Sequence, residues 1–184
     1  MTGKLEPTNS PYAMAKLASL EMGYSLMEQY GHNVINIMPT NLYGPNDTFD
    51  ELKSHVIPGL IYKMHKSKVL KKETVELWGS GKPLREFMYV QDFASAIRFI
   101  IENNPNSQLL NIGTGEEISI YDLAYKIKSV VNFEGEILFN TNYPDGNPRK
   151  LLDSSKINEL GWKSKVSLRE GLEKTYEWFL ENNN

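Results

Sequence analysis

The chain has 184 residues, which is room for one domain, or for one domain with a small extension. Its 20 Lys and Arg against 23 Asp and Glu give a formal net charge of −3, which argues against nucleic acid as a partner. The absence of cysteine excludes disulfides, thiolate nucleophiles and cysteine-ligated zinc. No apolar run approaches the roughly 20 residues that a membrane helix needs, so we expect a cytoplasmic protein without membrane contact.

Helical and strand patterns alternate along the chain, which predicts the α/β fold class. The first helix is expected over 12–30, with Ser10 as its N-cap, Pro11 at its first position and Gly31 as its C-cap. A long loop is expected over 39–53 and a basic connector over 66–72, and Ser119 is expected to cap a later helix. Strands are predicted over 33–38, 74–78, 86–90, 109–112 and 137–139, and further helices over 55–65, 92–103, 120–131, 154–160 and 167–182.

Tyr12 and Lys16 are four residues apart on the first predicted helix, so both side chains lie on one face of it. A cation near a phenol favours the phenolate, which lets the phenol exchange protons with a carbonyl or an alcohol near neutral pH. The same spacing is also common for an ordinary pair on a helix surface. The pattern alone therefore leaves both interpretations open.

Two further positions combine turn chemistry with charge. Arg85 follows a glycine-rich turn, and its planar fork of donors suits a pyrophosphate, or equally a nearby carboxylate. Asp145 lies in a Pro-Asp-Gly turn, and its carboxylate accepts hydrogen bonds of the kind that hydroxyl or N–H groups donate. As a sequence signal alone, Pro-Asp-Gly indicates only a turn.

The helix with Tyr12 and Lys16 belongs to an ordered series of short motifs. They are 5–9 (LEPTN), 11–16 (PYAMAK), 38–45 (MPTNLYGP), 54–58 (SHVIP), 78–81 (WGSG), 85–87 (REF), 111–115 (NIGTG), 144–146 (PDG), 148–153 (PRKLLD), 161–162 (GW) and 176–182 (YEWFLEN). In this order they resemble the extended, nucleotide-sugar-modifying branch of the short-chain dehydrogenase/reductase superfamily. Within that branch they are most similar to the GDP-L-fucose synthase family, the epimerase/reductases that act on GDP-4-keto-6-deoxy-mannose.

The resemblance implies roles for the reactive groups. Tyr12 would donate a proton to the sugar C4 oxygen, and Lys16 would hold the nicotinamide ribose and tune Tyr12. His55, otherwise an ordinary capping or packing residue, would lie near the cofactor and act as the acid in C3/C5 epimerisation. The segment beside the nicotinamide, which could also be plain turn chemistry, would consist of Pro39, Thr40, Asn41 and Leu42.

The resemblance also implies a site for the GDP-sugar. Lys63 and Trp78 have ordinary alternatives, as a solvated helix residue and a core residue. Gly113-Thr114-Gly115 lacks the spacing of a nucleotide fingerprint and is interpreted as a turn of the substrate domain. The residues implied to bind substrate are Asn41, Lys63, Trp78, Arg85, Asp145 and, as a weaker phosphate-side candidate, Lys150.

No glycine-rich dinucleotide fingerprint precedes Tyr12, and no cysteine is present to partner His55 in epimerisation. We therefore expect the C-terminal portion of such an enzyme: a Rossmann remnant over 1–53, and mainly a substrate-binding α/β lobe over 54–184, with segments that return to the Rossmann part. Most of the NADP(H) site would lie outside this chain. Exposed apolar residues of the first helix would then favour a dimer or other homo-oligomer, or a complementary N-terminal fragment. The alternative is a non-catalytic fragment that binds a nucleotide sugar or a partner.

Overall fold

The computed structural model describes residue 5 and residues 9–183, so most of the motif 5–9 lies outside the described residues. The helices are α1 (Ser10–Tyr30), α2 (Val56–Val69), α3 (Val90–Asn103), α4 (Ile120–Val131), α5 (Ser155–Glu159) and α6 (Leu168–Asn182). The strands are β1 (Asn36–Pro39), β2 (Asn41–Tyr43), β3 (Thr74–Trp78), β4 (Leu84–Tyr89), β5 (Leu109–Ile112), β6 (Glu117–Ser119), β7 (Glu136–Asn140) and β8 (Arg149–Lys150).

Most strand pairs are parallel. β1 pairs with β5, β2 with β4, and β3 with β7, each in parallel orientation. β4 also pairs with β8 in parallel and with β6 in antiparallel orientation, so it has three partners. Parallel strands joined through helices confirm the predicted α/β class.

Two apolar clusters form the interior. The larger one includes Ile61 of α2, Ile127 of α4 and Leu172 of α6, packed with β3 and β7. The smaller one surrounds β1 and β5 and takes in residues of α3 and α5. β4 contributes Met88 to the smaller cluster and Tyr89 to the larger, because successive side chains of a strand point to opposite faces. This strand therefore joins the two clusters, while the predicted boundary at residue 53 stays a prediction.

Helix α1 is covered only slightly by the rest of the chain. Leu20 and Gly23 are its buried residues, and a side chain at Gly23 would contact the Asn36 amide of β1. Met14 and Met22 are 56% and 61% exposed, which confirms that apolar residues of this helix remain accessible. None of the helices among residue 5 and residues 9–183 has the length and apolar character to cross a bilayer.

Several predicted helix ends were wrong: α1 begins at Ser10 and not at residue 12, and α3 begins at Val90 and not at residue 92. The N-cap of α1 is Asn9 rather than Ser10, and its side chain makes no capping hydrogen bond. α2 continues to Val69, through residues predicted as a connector. Lys66 pairs with Glu51 at 2.9 Å and Lys68 Nζ donates to the Val131 carbonyl at 2.9 Å. Cations in the last turn also interact favourably with the helix dipole.

Candidate functional site

The segment after β1 is held between β5 and β4. The Thr40 backbone N–H donates to the Ile112 carbonyl at 2.9 Å, and Thr40 Oγ1 donates to the Glu86 carbonyl at 3.1 Å. Asn41 Nδ2 donates to the same Glu86 carbonyl at 2.6 Å. Pro39 closes β1 and is exposed, whereas Leu42 is half-buried in β2. These bonds fix the predicted cofactor segment at the ends of β1 and β5 and leave the Asn41 amide oxygen as an acceptor.

Tyr12 and Lys16 lie side by side in the first turns of α1. Lys16 Nζ is 5.5 Å from the centre of the Tyr12 ring, and Tyr12 is 61% exposed. Pro11 in the first turn suits this helix start because its missing N–H is not needed there. Both polar ends are accessible to a ligand. The catalytic role predicted for the pair stays a prediction.

His55 occupies the N-cap position of α2. Its backbone carbonyl accepts from the Gly59 N–H at 2.9 Å, while its imidazole makes no capping hydrogen bond and is exposed. The side chain is therefore not the capping group that such a position often supplies.

A cation and two aromatic rings form a stack at the end of β3. Lys63 Nζ lies 5.1 Å from the centre of the Trp78 ring, and Trp78 stacks on Tyr143 at 4.5 Å with 16° between the ring planes. Trp78 is 57% exposed, so it is a surface residue of the site and not part of the core. The contact with Tyr143 was missed from sequence, because the two rings are brought together only by the fold.

Asp145 holds its own loop against the turn after β3. Its Oδ1 accepts from the Ser80 backbone N–H at 2.8 Å and its Oδ2 from Ser80 Oγ at 2.6 Å. These hydrogen bonds, followed by the charges of Lys82 and Arg85, keep the pKa of the Asp145 carboxyl below its usual value. Gly79 has a φ of +85°, and a Cβ there would lie 2.5 Å from Asp145 Oδ1, so the close approach requires glycine.

Arg85 and Lys150 are opposite each other on the parallel strands β4 and β8. Arg85 Nη1 donates to the Leu84 carbonyl at 2.8 Å. Burial lowers the pKa of the Arg85 guanidinium and the charge of Asp145 opposes this effect, but the group stays protonated near neutral pH. Lys150 is exposed. The two cations thus form a short basic row on neighbouring strands, which suits a phosphate group.

The neighbouring Glu86 is fully buried and was not singled out from sequence. Its Oε1 accepts from the Gly115 N–H at 2.8 Å and from Thr114 Oγ1 at 3.4 Å, and its Oε2 accepts from the Leu152 N–H at 3.1 Å. A carboxylate accepts all these bonds at once. One signal could have indicated it: Glu86 and Met88 are two residues apart in the strand predicted over 86–90, so both lie on one face of it, and both are buried.

The parallel strand pairs joined through helices, together with the likeness to solved reductase structures given below, define a Rossmann-type α/β protein of the epimerase and reductase class. The sequence model of the NAD dependent epimerase/dehydratase family matches residues 1–113. The chain therefore belongs to that family.

Among named proteins, the chain is similar to GDP-L-fucose synthases. GDP-L-fucose synthase 1 of Arabidopsis thaliana is 48% identical over 182 residues, which is 99% of this chain and 56% of the relative. GDP-L-fucose synthase of Escherichia coli K12 is 44% identical over 191 residues, which is 99% of this chain and 60% of the relative. The chain thus spans less than two thirds of the length of these curated relatives.

Solved structures support the same fold. A GDP-6-OMe-4-keto-L-xylo-heptose reductase from C. jejuni gives a TM-score of 0.91 at 34% identity, over 100% of this chain and 64% of that protein. A GDP-L-fucose synthetase from Naegleria fowleri bound to NADP gives 0.87 at 30% identity, over 98% of this chain and 58% of that protein.

Proposed function

We propose that this chain supplies the proton-transfer groups and the nucleotide-sugar site of an NADP(H)-dependent enzyme. That enzyme would convert GDP-4-keto-6-deoxy-D-mannose to GDP-L-fucose, or would act on a closely related GDP-sugar. The observation that carries the proposal is the accessible Tyr12–Lys16 pair, in a chain 44–48% identical to several proteins named GDP-L-fucose synthase over 99% of its length.

Tyr12 is the proton donor in this proposal. Its hydroxyl would protonate the C4 oxygen of the sugar, and the Lys16 ammonium would stabilise the phenolate that remains. NADP(H), when bound, supplies the hydride that C4 receives. Lys16 would hold the nicotinamide ribose, and the fixed segment of Pro39, Thr40, Asn41 and Leu42 would line the nicotinamide. Most of the remaining cofactor site would lie outside this chain.

His55 would serve as the acid of the epimerisation. A carbonyl at C4 makes the hydrogens at C3 and C5 acidic, and inversion requires a proton to return to the other face of the carbon. The exposed imidazole at the start of α2 suits that return, and it would also lie near the cofactor. Because the chain has no cysteine, any thiol that partners His55 would come from another segment.

The GDP-sugar would bind along the ends of β3, β4 and β8. Arg85 and Lys150 would contact the pyrophosphate. The Lys63–Trp78 stack would form one wall of the site, while Asp145 and the amide oxygen of Asn41 would accept hydrogen bonds from the nucleoside or sugar. We place these groups mainly in a lobe over 54–184, with a Rossmann remnant over 1–53.

The proposed partner of α1 is a second copy of the chain or a complementary N-terminal segment, since α1 leaves Met14 and Met22 exposed. A cytoplasmic location is proposed from the lack of cysteine.

A chimera tests the activity. The chain is joined to the N-terminal segment of the Arabidopsis relative that it does not match, and NADPH oxidation is followed at 340 nm with GDP-4-keto-6-deoxy-mannose. We expect turnover, and a loss of about 10²–10⁴-fold in kcat in the Y12F variant, because the proton donor is removed. NMR of the product separates epimerisation plus reduction from reduction alone. A folded chimera without turnover would refute the proposal.

A nucleotide-sugar-binding module is the second candidate function. It is favoured by the presence of all the proposed substrate-side residues in a chain that spans 56–60% of its relatives. Calorimetry on the chain itself discriminates, since this candidate requires GDP binding without NADPH binding and a chimera without turnover.

A further inference from the structure

Glu86 is an acidic residue at 0% exposure, between the predicted cofactor segment and the chain after β8. Burying a carboxylate is costly unless hydrogen bonds compensate for its lost hydration. Here two backbone N–H groups compensate, those of Gly115 at 2.8 Å and Leu152 at 3.1 Å. The turn at Gly113 is shaped around this carboxylate, because a Cβ on Gly113 would overlap it.

Both the backbone carbonyl and the side chain of Glu86 bind other segments of the chain. The Glu86 carbonyl accepts from Thr40 and Asn41, while its carboxylate accepts from the turn after β5 and from the chain after β8. Glu86 therefore makes hydrogen bonds to two segments that lie more than 100 residues apart in sequence, at 40–41 and at 152. The proposed cofactor side and the proposed phosphate side meet there.

The carboxylate of Glu86 is one of the contacts that hold the strand β8. This strand contains only Arg149 and Lys150, and a pair of strands this short is weak by itself. One end is held by the Leu84 N–H, which donates to the Pro148 carbonyl at 2.9 Å. At the other end, Leu152 N–H donates to Glu86 Oε2, and one residue further Asn111 Nδ2 donates to the Asp153 carbonyl at 3.0 Å. Arg149 on β8 also pairs with Glu117 at 2.7 Å, at the surface. Because neighbouring side chains alternate, Glu86 binds Leu152 from the buried face and leaves Arg85 on the other face.

We infer that Glu86 is a positioning residue, which fixes β8 so that Lys150 and Arg85 face the same phosphate group. The inference rests on the proposed function for the identity of that ligand. A glutamine in its place would have the same shape but would turn its NH₂ group toward one of the two N–H donors. The charge of Glu86 is therefore needed, although it never touches the ligand.

A double-mutant cycle on the full chain tests the inference, with GDP as the probe and calorimetry as the measurement. K150A is expected to weaken GDP binding by about 10–100-fold, as for loss of a charged hydrogen bond. E86Q should weaken GDP binding by a similar factor. In the double variant E86Q/K150A, GDP binding should be weaker than in the weaker-binding single variant by less than about threefold, because each substitution removes the same contact between Lys150 and the phosphate. In the control cycle, E86Q/K63A, the two effects should multiply, since Lys63 is held at Trp78 and not by Glu86.

Hydrogen exchange provides a readout that does not require GDP. In E86Q, exchange over 149–153 should accelerate about tenfold or more, while β3 (Thr74–Trp78) stays unchanged. Unchanged exchange over 149–153, or effects of E86Q and K150A that multiply as in the control, would overturn the inference. If E86Q does not fold, E86D carries the same cycle, because its shorter side chain cannot reach both donors. Failure of both variants to fold would assign Glu86 to stability and overturn its positioning role.

If the wild-type chain does not bind GDP, the proposed function fails by that result. The exchange comparison then still decides whether Glu86 anchors β8.

Discussion

Gly113 lies where the Glu86 carboxylate and the Ser154 hydroxyl leave no room for a side chain. We expect G113A to lower the free energy of unfolding by about 1–3 kcal/mol, as for overpacking of a core, measured by urea unfolding. S154A is the matched control, because Ser154 Oγ is buried and has no hydrogen-bond partner among the described residues. Its loss should be neutral or stabilise by up to about 1 kcal/mol. Equal stability of G113A and wild type would contradict the geometry.

The partly buried side chain of His65 should make the stability of the fold depend on pH. Its Nδ1 lies 2.9 Å from the Tyr176 hydroxyl, and burial, followed by the charge of Lys68, lowers the pKa of His65. The unfolded chain therefore binds the proton more readily than the folded chain, so stability is lost as pH falls below about 6.5 toward the lowered value. H65Q should flatten the pH dependence of the urea midpoint in this window. H32Q, which changes an exposed histidine, should leave it as in wild type.

Single residues differed in how far the sequence could predict them. The Tyr12–Lys16 proximity follows from helix geometry alone, and the structure confirms that distance relation. Tyr143 and Glu86 could not be placed, because their partners are set by the fold: Trp78 lies 65 residues before Tyr143, and Leu152 lies 66 residues after Glu86. Local patterns carry no information on such contacts.

Among the elements, α4 has the clearest local start signal. Ser119 Oγ accepts from the Asp122 N–H at 2.9 Å, which confirms the predicted cap. S119A should lower the free energy of unfolding by about 1 kcal/mol, the usual value of a capping bond. N9A is the matched control, since Asn9 is the N-cap of α1 but makes no side-chain capping bond. A loss in N9A as large as in S119A would contradict this explanation.

The shortest strands could not be predicted from local sequence patterns. β2, β6 and β8 contain three, three and two residues, and none was predicted from the sequence. Each exists because it pairs with β4, which was predicted with its start two residues late. By contrast, β3, β5 and α4 were predicted with the bounds that the structure gives, because their apolar patterns and flanking turns are local.

At the scale of the molecule, the interior explains why the site spans distant parts of the chain. β4 contributes to both apolar clusters, and its residues also contact the predicted cofactor segment and β8. The alternation of strands and helices predicted the fold class, but it did not predict that one strand would join these parts. The pairing of β4 with three other strands is a long-range property, which periodicity does not encode.

Helix α1 has two exposed methionines on one side. Met14 and Met22 are eight residues apart, about 80° around the helix, and lie away from the side of Leu20 and Gly23. Exposed methionines on an otherwise lightly covered helix favour association, so the chain should self-associate in light scattering as its concentration rises. M14E/M22E should shift the measured mass toward the monomer, because each substitution places a charge where an apolar contact forms. L52E, which changes a leucine that is 82% exposed elsewhere, should not. A stable, folded wild-type monomer at high concentration would refute the association, and a complementary N-terminal segment would then be the occupant to test on this helix.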